Sequence, residues 1–212
     1  MCIQARQVGG DYYDFLDLGR GRLGMVIGDI SGKGMPAALL MVNLQANLRS
    51  QTGIAVDEPQ RLLRSVNQLF YENTPDNAYA SLFFAEYDNS SQSLRYANCG
   101  HLSPLLLRRG VTLERIESTC TLLGLFNEWD CEMGERRLFP GDTLVLYTDG
   151  ITESFNQAGE EFGEERLVEV FRRHCKLSAR GLLAAIVDEV RQFSPQEQHD
   201  DITLIVAKCR KT

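Results

Sequence analysis

Leu23-Gly24-Met25-Val26-Ile27-Gly28-Asp29-Ile30-Ser31-Gly32-Lys33-Gly34 passes from an apolar β-type run into a glycine-rich acidic turn. Pro36 follows where a first helical turn tolerates it, and Ala37 to Ser50 holds mostly good helix formers. A carboxylate at such a strand end is positioned by the sheet yet open to solvent. Related settings recur along the chain: Tyr147-Thr148-Asp149-Gly150 closes another apolar run, His199-Asp200-Asp201-Ile202-Thr203 opens one, and Asp11 follows the pair Gly9-Gly10. Oxygen-only ligands on rigid scaffolding favour Mg²⁺ or Mn²⁺ over zinc. The pattern points to a two-metal phosphohydrolase.

Outward from that stretch, Asp57-Glu58-Pro59 reads as a second helix start, with Leu62, Leu63, Val66, Leu69 and Phe70 at helical spacing through Asn73. The texture then changes. Residues 80–88, 94–99, 105–108, 111–116, 136–139 and 143–147 are short runs separated by Asn89-Ser90-Ser91, Gly100, Gly110 and Pro140-Gly141-Asp142, the signature of antiparallel sheet. Residues 164–175 and 178–193 read as helices, the second with Ser178 as N-cap, and 202–207 as a last buried strand. Runs of strands and runs of helices, rather than strict β-α-β alternation, predict an α+β fold of sheets flanked by helices.

The 212 residues, 43% apolar, suffice for one full core, and the expectation is a single domain over 1–212. No apolar run approaches the roughly 18 residues that span a bilayer, and no charged-then-apolar leader opens the chain. It reads as soluble and cytoplasmic, without membrane contact. The six cysteines show no C-x-x-C pairing, which speaks against a zinc site or disulfide framework and for reduced core thiols. A net charge of −7 speaks against a nucleic-acid partner. Only Met1 to Val8 precede the first glycine pair, a short lead-in that suggests a domain excised from behind a sensor or receiver module.

Val8-Gly9-Gly10-Asp11-Tyr12-Tyr13-Asp14-Phe15, Gly28-Asp29-Ile30-Ser31-Gly32-Lys33-Gly34, Asn98-Cys99-Gly100-His101, Tyr147-Thr148-Asp149-Gly150-Ile151-Thr152-Glu153 and Asp200-Asp201-Ile202-Thr203 occur in this order. Together they resemble the SpoIIE/RsbU branch of the PPM (type 2C-like) serine/threonine phosphatases over nearly the whole chain. The resemblance implies a four-layer α-β-β-α sandwich with two metal ions, Mn²⁺ or Mg²⁺, held between the sheets. It implies hydrolysis of phosphoserine or phosphothreonine, often on a STAS-type anti-anti-sigma protein in bacterial partner switching and stress-response sigma-factor regulation. Carried over position by position, Asp29 bridges both metals, Asp149 and Asp200 complete the first, and Asp11 with the main-chain carbonyl of Ile30 holds the second. A water shared by two such cations loses its proton near neutral pH and becomes the nucleophile, so no protein nucleophile is required.

Several positions stay open at this level. Asp14 stands three residues after Asp11, and Asp201 is adjacent to Asp200, where a strand start points the two side chains oppositely; Asp11 and Asp200 are the expected ligands. His101 is expected to be structural rather than catalytic, and Lys33 an exposed turn lysine. Many eukaryotic relatives place a general-acid histidine two residues after the bridging aspartate, where this chain has Ser31, so leaving-group protonation is expected from solvent or a bound water. The polar stretch from Thr152 to Phe162 reads equally as a flap over the site or a solvated connector. The apolar positions of the first helix, Leu39, Leu40, Val42, Leu44 and Leu48, are expected in the core.

A P-loop is excluded because the glycine-rich turn is one residue short and Gly34 replaces the required Ser or Thr. A diguanylate cyclase is excluded because Gly159 is preceded by Ala158 and Gly9-Gly10 lies too near the start. The competing reading of another class is a noncatalytic phosphatase-fold scaffold that binds a sigma-factor regulatory partner. It has no need of a costly carboxylate cluster. Homodimerisation through an upstream module is compatible with the sequence.

Overall fold

The computed structural model describes residues 1–55, 57–195 and 198–210. The chain divides into two compact units, one formed by residues 8–101 and 117–137, the other by 1–7, 102–116 and 138–212.

In the first unit, β2 (Tyr12–Asp17), β3 (Arg22–Ile30), β4 (Ala80–Asp88), β5 (Ser93–Cys99) and β8 (Gly134–Arg137) form an antiparallel sheet in the order β2-β3-β4-β5-β8. The hairpin between β2 and β3 turns through Gly19, Arg20 and Gly21, all at positive φ. Two helices, α1 (Met35–Ala55) and α2 (Pro59–Glu72), pack with it. Pro59 opens α2, where its missing N–H costs nothing. Leu62, Leu63, Val66 and Phe70 follow at helical spacing and are fully buried in a core with Leu44, Leu48, Val26, Leu82 and Phe84. Leu39 and Val42, expected in that core, are instead exposed at 66% and 53%. Helix α1 turns Leu44 and Leu48 inward, and one face of a single-layer helix cannot bury all five apolar positions.

Gly53 lies inside α1 with open space around its missing Cβ and no positive φ. Gly53→Ala is therefore expected to raise stability by about 0.4–1 kcal/mol, by reducing the entropy of the unfolded chain. A lower denaturation midpoint than wild type in urea titration would contradict this.

The second unit has a sheet in the order β1-β10-β9-β6-β7, built from β1 (Cys2–Ile3), β10 (Ile202–Lys208), β9 (Thr143–Tyr147), β6 (Leu105–Arg108) and β7 (Thr112–Arg115), again antiparallel. Helices α3 (Asp149–Thr152), α4 (Gly163–His174) and α5 (Ala179–Phe193) accompany it. Helix α4 starts with Glu164 and Glu165 and ends with Arg172, Arg173 and His174, matching charge to the helix dipole at both ends. Ser178 caps α5 as expected, its Oγ accepting the Gly181 N–H at 3.1 Å. Leu167, Phe171, Leu182 and Ile186 are fully buried with Leu105, Val145, Tyr147 and Leu204.

In the central strands of each sheet both faces are buried. Val26, Leu82 and Phe84 belong to the helix-side core of the first unit, yet Ile27, Phe83 and Ala85 on the opposite face are also inaccessible; in the second unit Leu144, Leu146 and Ile205 are buried as fully as Val145 and Leu204. That double burial is why the central strands read as continuous apolar runs instead of alternating ones.

One expected strand is displaced, and one strand has no counterpart among those expected. Residues 136–139 were expected as a strand, whereas β8 spans Gly134–Arg137. Gly134 sits opposite Tyr96, and a Cβ there would lie 2.2 Å from the Tyr96 ring, so the glycine lets the strand pair where any side chain would collide. Strand β2 carried no strand expectation because its inward positions, Tyr12, Asp14 and Leu16, include a carboxylate.

Candidate metal and phosphate site

In the first unit, Asp29 is the penultimate residue of β3, opposite Ser81 in the register with β4. Beyond it the strand end is tied down by reciprocal bonds: Ser31 N–H donates to the Tyr79 carbonyl at 2.9 Å, and Tyr79 N–H donates to Ser31 Oγ at 3.0 Å. Ser31 is thus used to hold the turn. Gly10 presses on this strand end. A Cβ at Gly10 would lie 3.1 Å from the Ile30 carbonyl oxygen and 3.4 Å from Asp29 Oδ1, a tight fit that a glycine relieves. Asp29 and the Ile30 carbonyl thus stand beside the segment that leads into Asp11. The donors are all oxygen, a set that suits a hard divalent cation.

Asp14 is committed elsewhere. It is buried, accepts hydrogen bonds at 2.7 Å from both Arg49 Nε and Arg49 Nη2, and accepts the Tyr12 hydroxyl at 2.8 Å. Burial and that bond hold the Tyr12 hydroxyl far above its ordinary range, so it remains a donor.

In the second unit, Asp149 follows β9 directly and Asp200 precedes β10. Thr148 locks the two strand ends together. Its N–H donates to the Thr203 carbonyl at 3.1 Å, and its Oγ1 accepts the Thr203 N–H at 3.0 Å. Gly150 makes this possible, because a Cβ there would fall 2.0 Å from the Asp201 carbonyl oxygen. Asp201 is 6% exposed and turns away to accept the Ala5 N–H at 2.8 Å. Asp200 is less buried; one carboxylate oxygen accepts the Asp201 N–H at 2.9 Å, and its carbonyl accepts from Gln198. A cleft of about 140 Å³ opens beside it, lined among others by Gly150, Glu153, Phe155, His199 and Asp200.

Each unit thus carries two of the four expected aspartates at the end of a rigid strand. Among the described residues no three His, Cys, Asp or Glu side chains are grouped so as to hold a metal ion.

His101 is buried, with its N–H donating to Asn98 Oδ1 at 2.9 Å and its Nδ1 2.8 Å from Ser81 Oγ. These bonds pin the end of β5 to β4. Lys33 is exposed. Residues 152–162 form a small closed turn rather than an open connector: Phe155 bridges Glu161, Phe162 N–H donates to the Ser154 carbonyl at 2.8 Å, and Asn156 Oδ1 accepts from the N–H groups of Ala158 and Glu160. A feature that the linear reading missed is a thiol cluster, where Cys120 Sγ lies 3.0 Å from Cys131 Sγ. No spacing rule signals it, since Cys99, Cys120 and Cys131 come from three separated segments.

Among the described residues no helix is long and apolar enough to cross a membrane. The family model for Stage II sporulation protein E (SpoIIE) matches residues 19–210. The phosphoserine phosphatase RsbU of Bacillus subtilis (strain 168) is 29% identical over 98% of this chain and 62% of its own length. The chain thus spans less than two thirds of the curated relatives it matches. Among solved structures, the SiaA-PP2C domain of Pseudomonas aeruginosa superposes with a TM-score of 0.87 at 20% identity, covering 98% of this chain and 85% of that one. The RsbU and RsbW domains of a Mycobacterium tuberculosis protein give 0.79 at 26% identity, over 97% of this chain and 56% of that one. RsbX, solved in complex with magnesium, gives 0.67 at 15% identity, over 97% and 91%. The expected α+β, PPM phosphatase-like fold class is that of these neighbours, and the chain belongs to the SpoIIE family.

Proposed function

We propose that this chain is a metal-dependent phosphatase domain that removes phosphate from phosphoserine or phosphothreonine on a STAS-type anti-anti-sigma protein, and that it works within a longer protein carrying an upstream sensor or receiver module. The observation that carries the reading is the close packing of Gly10 on the Asp29 carboxylate and the Ile30 carbonyl. It brings the segment leading into Asp11 against two oxygens of the proposed ligand set. The relative named a phosphoserine phosphatase supports the substrate class, and the neighbour containing RsbU and RsbW domains supports a partner-switching setting.

Asp11, Asp29, the Ile30 carbonyl, Asp149 and Asp200 are the proposed ligands of two Mn²⁺ or Mg²⁺ ions. When bound, the ions supply Lewis-acid activation of the attacking water and neutralise charge on the phosphoryl group. The protein's own contribution is placement. Strand ends fix the carboxylates before substrate arrives, so little reorganisation is needed during reaction. Asp14 and Asp201 are left out of the ligand set because Arg49 and Tyr12 engage both oxygens of Asp14, and buried Asp201 turns Oδ1 to the Ala5 N–H.

The direct test is release of phosphate from a phosphoserine-bearing STAS protein after chelator treatment, with and without added Mn²⁺. Activity that returns only with metal is the expected result. A folded domain silent in both conditions, facing a substrate that RsbU hydrolyses in parallel, would favour the scaffold reading. His101→Ala is expected to keep turnover within about fivefold of wild type while losing about 1–2 kcal/mol of stability, because it leaves Ser81 without its partner. A loss of activity near that of an Asp29 variant, without unfolding, would make His101 part of the chemistry.

A further inference from the structure

Cys120 stands at the centre of three strand-like segments in the first unit. It forms a parallel bridge to Cys99 and an antiparallel bridge to Cys131. Its N–H donates to the Asn98 carbonyl at 3.0 Å, and the next turn is fastened where Leu123 and Ala80 exchange backbone hydrogen bonds at 2.9 and 3.0 Å. The backbone holding Cys120 and Cys131 opposite each other is thus fixed from both sides. Residues directly opposed in an antiparallel pair have Cα atoms about 4.5–5.5 Å apart, within the range that a disulfide spans. The two sulfurs are 3.0 Å apart, and a closing movement of about 1 Å brings them to bonding distance.

We propose that Cys120 and Cys131 form a reversible thiol–disulfide couple, with Cys120 as the thiol that meets the oxidant and Cys131 as the thiol that resolves it. Access assigns the roles. Cys120 is partly exposed, whereas Cys131 is 1% exposed and Cys99 is sealed. Acidity supports the same order. Hydrogen bonds from Cys131, then Cys99, then the Thr119 hydroxyl pull the Cys120 thiol well below its ordinary range, and the bond to Cys120 pushes Cys131 up. Cys120 therefore deprotonates first, and the thiolate is the reactive form. Cys99, deep in the core, acts as a hydrogen-bond donor to the thiolate.

With a peroxide as oxidant, the Cys120 thiolate attacks one peroxide oxygen, the O–O bond breaks, and Cys120 becomes a sulfenic acid as hydroxide leaves. Cys131 then loses its proton and attacks that sulfur. The S–S bond forms, the sulfenic oxygen departs as hydroxide, and one peroxide has been reduced to two waters for two thiols oxidised, once the two thiol protons are counted. A thiol reductant reverses the change by exchange.

The test treats the reduced, folded chain with graded hydrogen peroxide and maps thiols by mass spectrometry of non-reduced peptides. The first product expected is a peptide pair linked through Cys120 and Cys131, two hydrogens lighter and restored by dithiothreitol. In Cys131→Ser, Cys120 should accumulate a dimedone-trappable sulfenic acid, and in Cys120→Ser the same peroxide dose should leave Cys131 unmodified. Iodoacetamide at pH 6 should label Cys120 about tenfold faster than Cys209 in the same wild-type chain. The wild-type map needs neither variant to fold. Six free thiols at doses that oxidise free cysteine, or a first link between Cys120 and any cysteine other than Cys131, overturns the proposal.

Discussion

Asp29→Asn is expected to lower phosphatase turnover by about 10³-fold or more while leaving the melting temperature close to wild type. In the proposed bridging role, losing one charged oxygen would weaken the hold on two cations at once, and metal activation contributes several kcal/mol to such reactions, each 1.36 kcal/mol being tenfold in rate. The fold should tolerate the change. Asparagine is isosteric, Asp29 is only partly buried, and the strand end is held by the two Ser31–Tyr79 hydrogen bonds. Steady-state assays across a Mn²⁺ titration, with thermal denaturation in parallel, separate the possibilities. Wild-type turnover in this variant would remove Asp29 from the proposed ligand set, while a matching loss of stability would recast it as a structural residue.

Gly150→Ala is expected to damage stability and activity together. A Cβ at this position would lie 2.0 Å from the Asp201 carbonyl oxygen and 2.8 Å from its carbon, and the obstacle is backbone, which cannot rotate aside. Relief requires β9 and β10 to separate where Thr148 and Thr203 are bonded. Overpacking of this kind costs about 3 kcal/mol. For a domain of this size that corresponds to a fall of roughly 6–12 °C in melting temperature. Asp149 and Asp200 flank the contact on either side, so the same displacement moves two proposed ligands. Calorimetry and phosphate release on one preparation test this; a variant that melts and turns over like wild type would mean the contact is looser than it stands.

These two substitutions probe residues that differ in how they could be found. Asp29 and Asp149 were legible because each ends an apolar run. Gly150 was visible as part of a motif, but its reason, the Asp201 carbonyl beneath it, belongs to a residue 51 positions away. The strands 80–88, 105–108 and 143–147 were legible to the residue, since apolar runs bounded by Gly, Asn and Pro report burial directly. Strand β2 was not, because an inward aspartate breaks the pattern until Arg49 and Tyr12, one of them 35 residues away, neutralise it. Residues 136–139 misled as a strand because Leu138 and Phe139 continue the apolar run, while pairing is decided by the room Gly134 leaves for the Tyr96 ring.

The cysteines mark the same boundary most clearly. Spacing rules find ligands and disulfides when the partners are near in sequence, and by that measure these six are unrelated core thiols. Three of them meet only because β5 and the segment before β8 are brought to either side of Cys120. Local order along the chain determined the fold class, most element boundaries, the family and the four candidate aspartates, since each depends on residues within a few positions of one another. Tertiary structure alone decided that Asp14 and Asp201 serve other partners, that Ser31 closes a turn, that α1 leaves Leu39 and Val42 in solvent, and that Cys120 faces Cys131. Each of these is a pairing across distant segments, whose energy exists only after the chain has closed the loops between them.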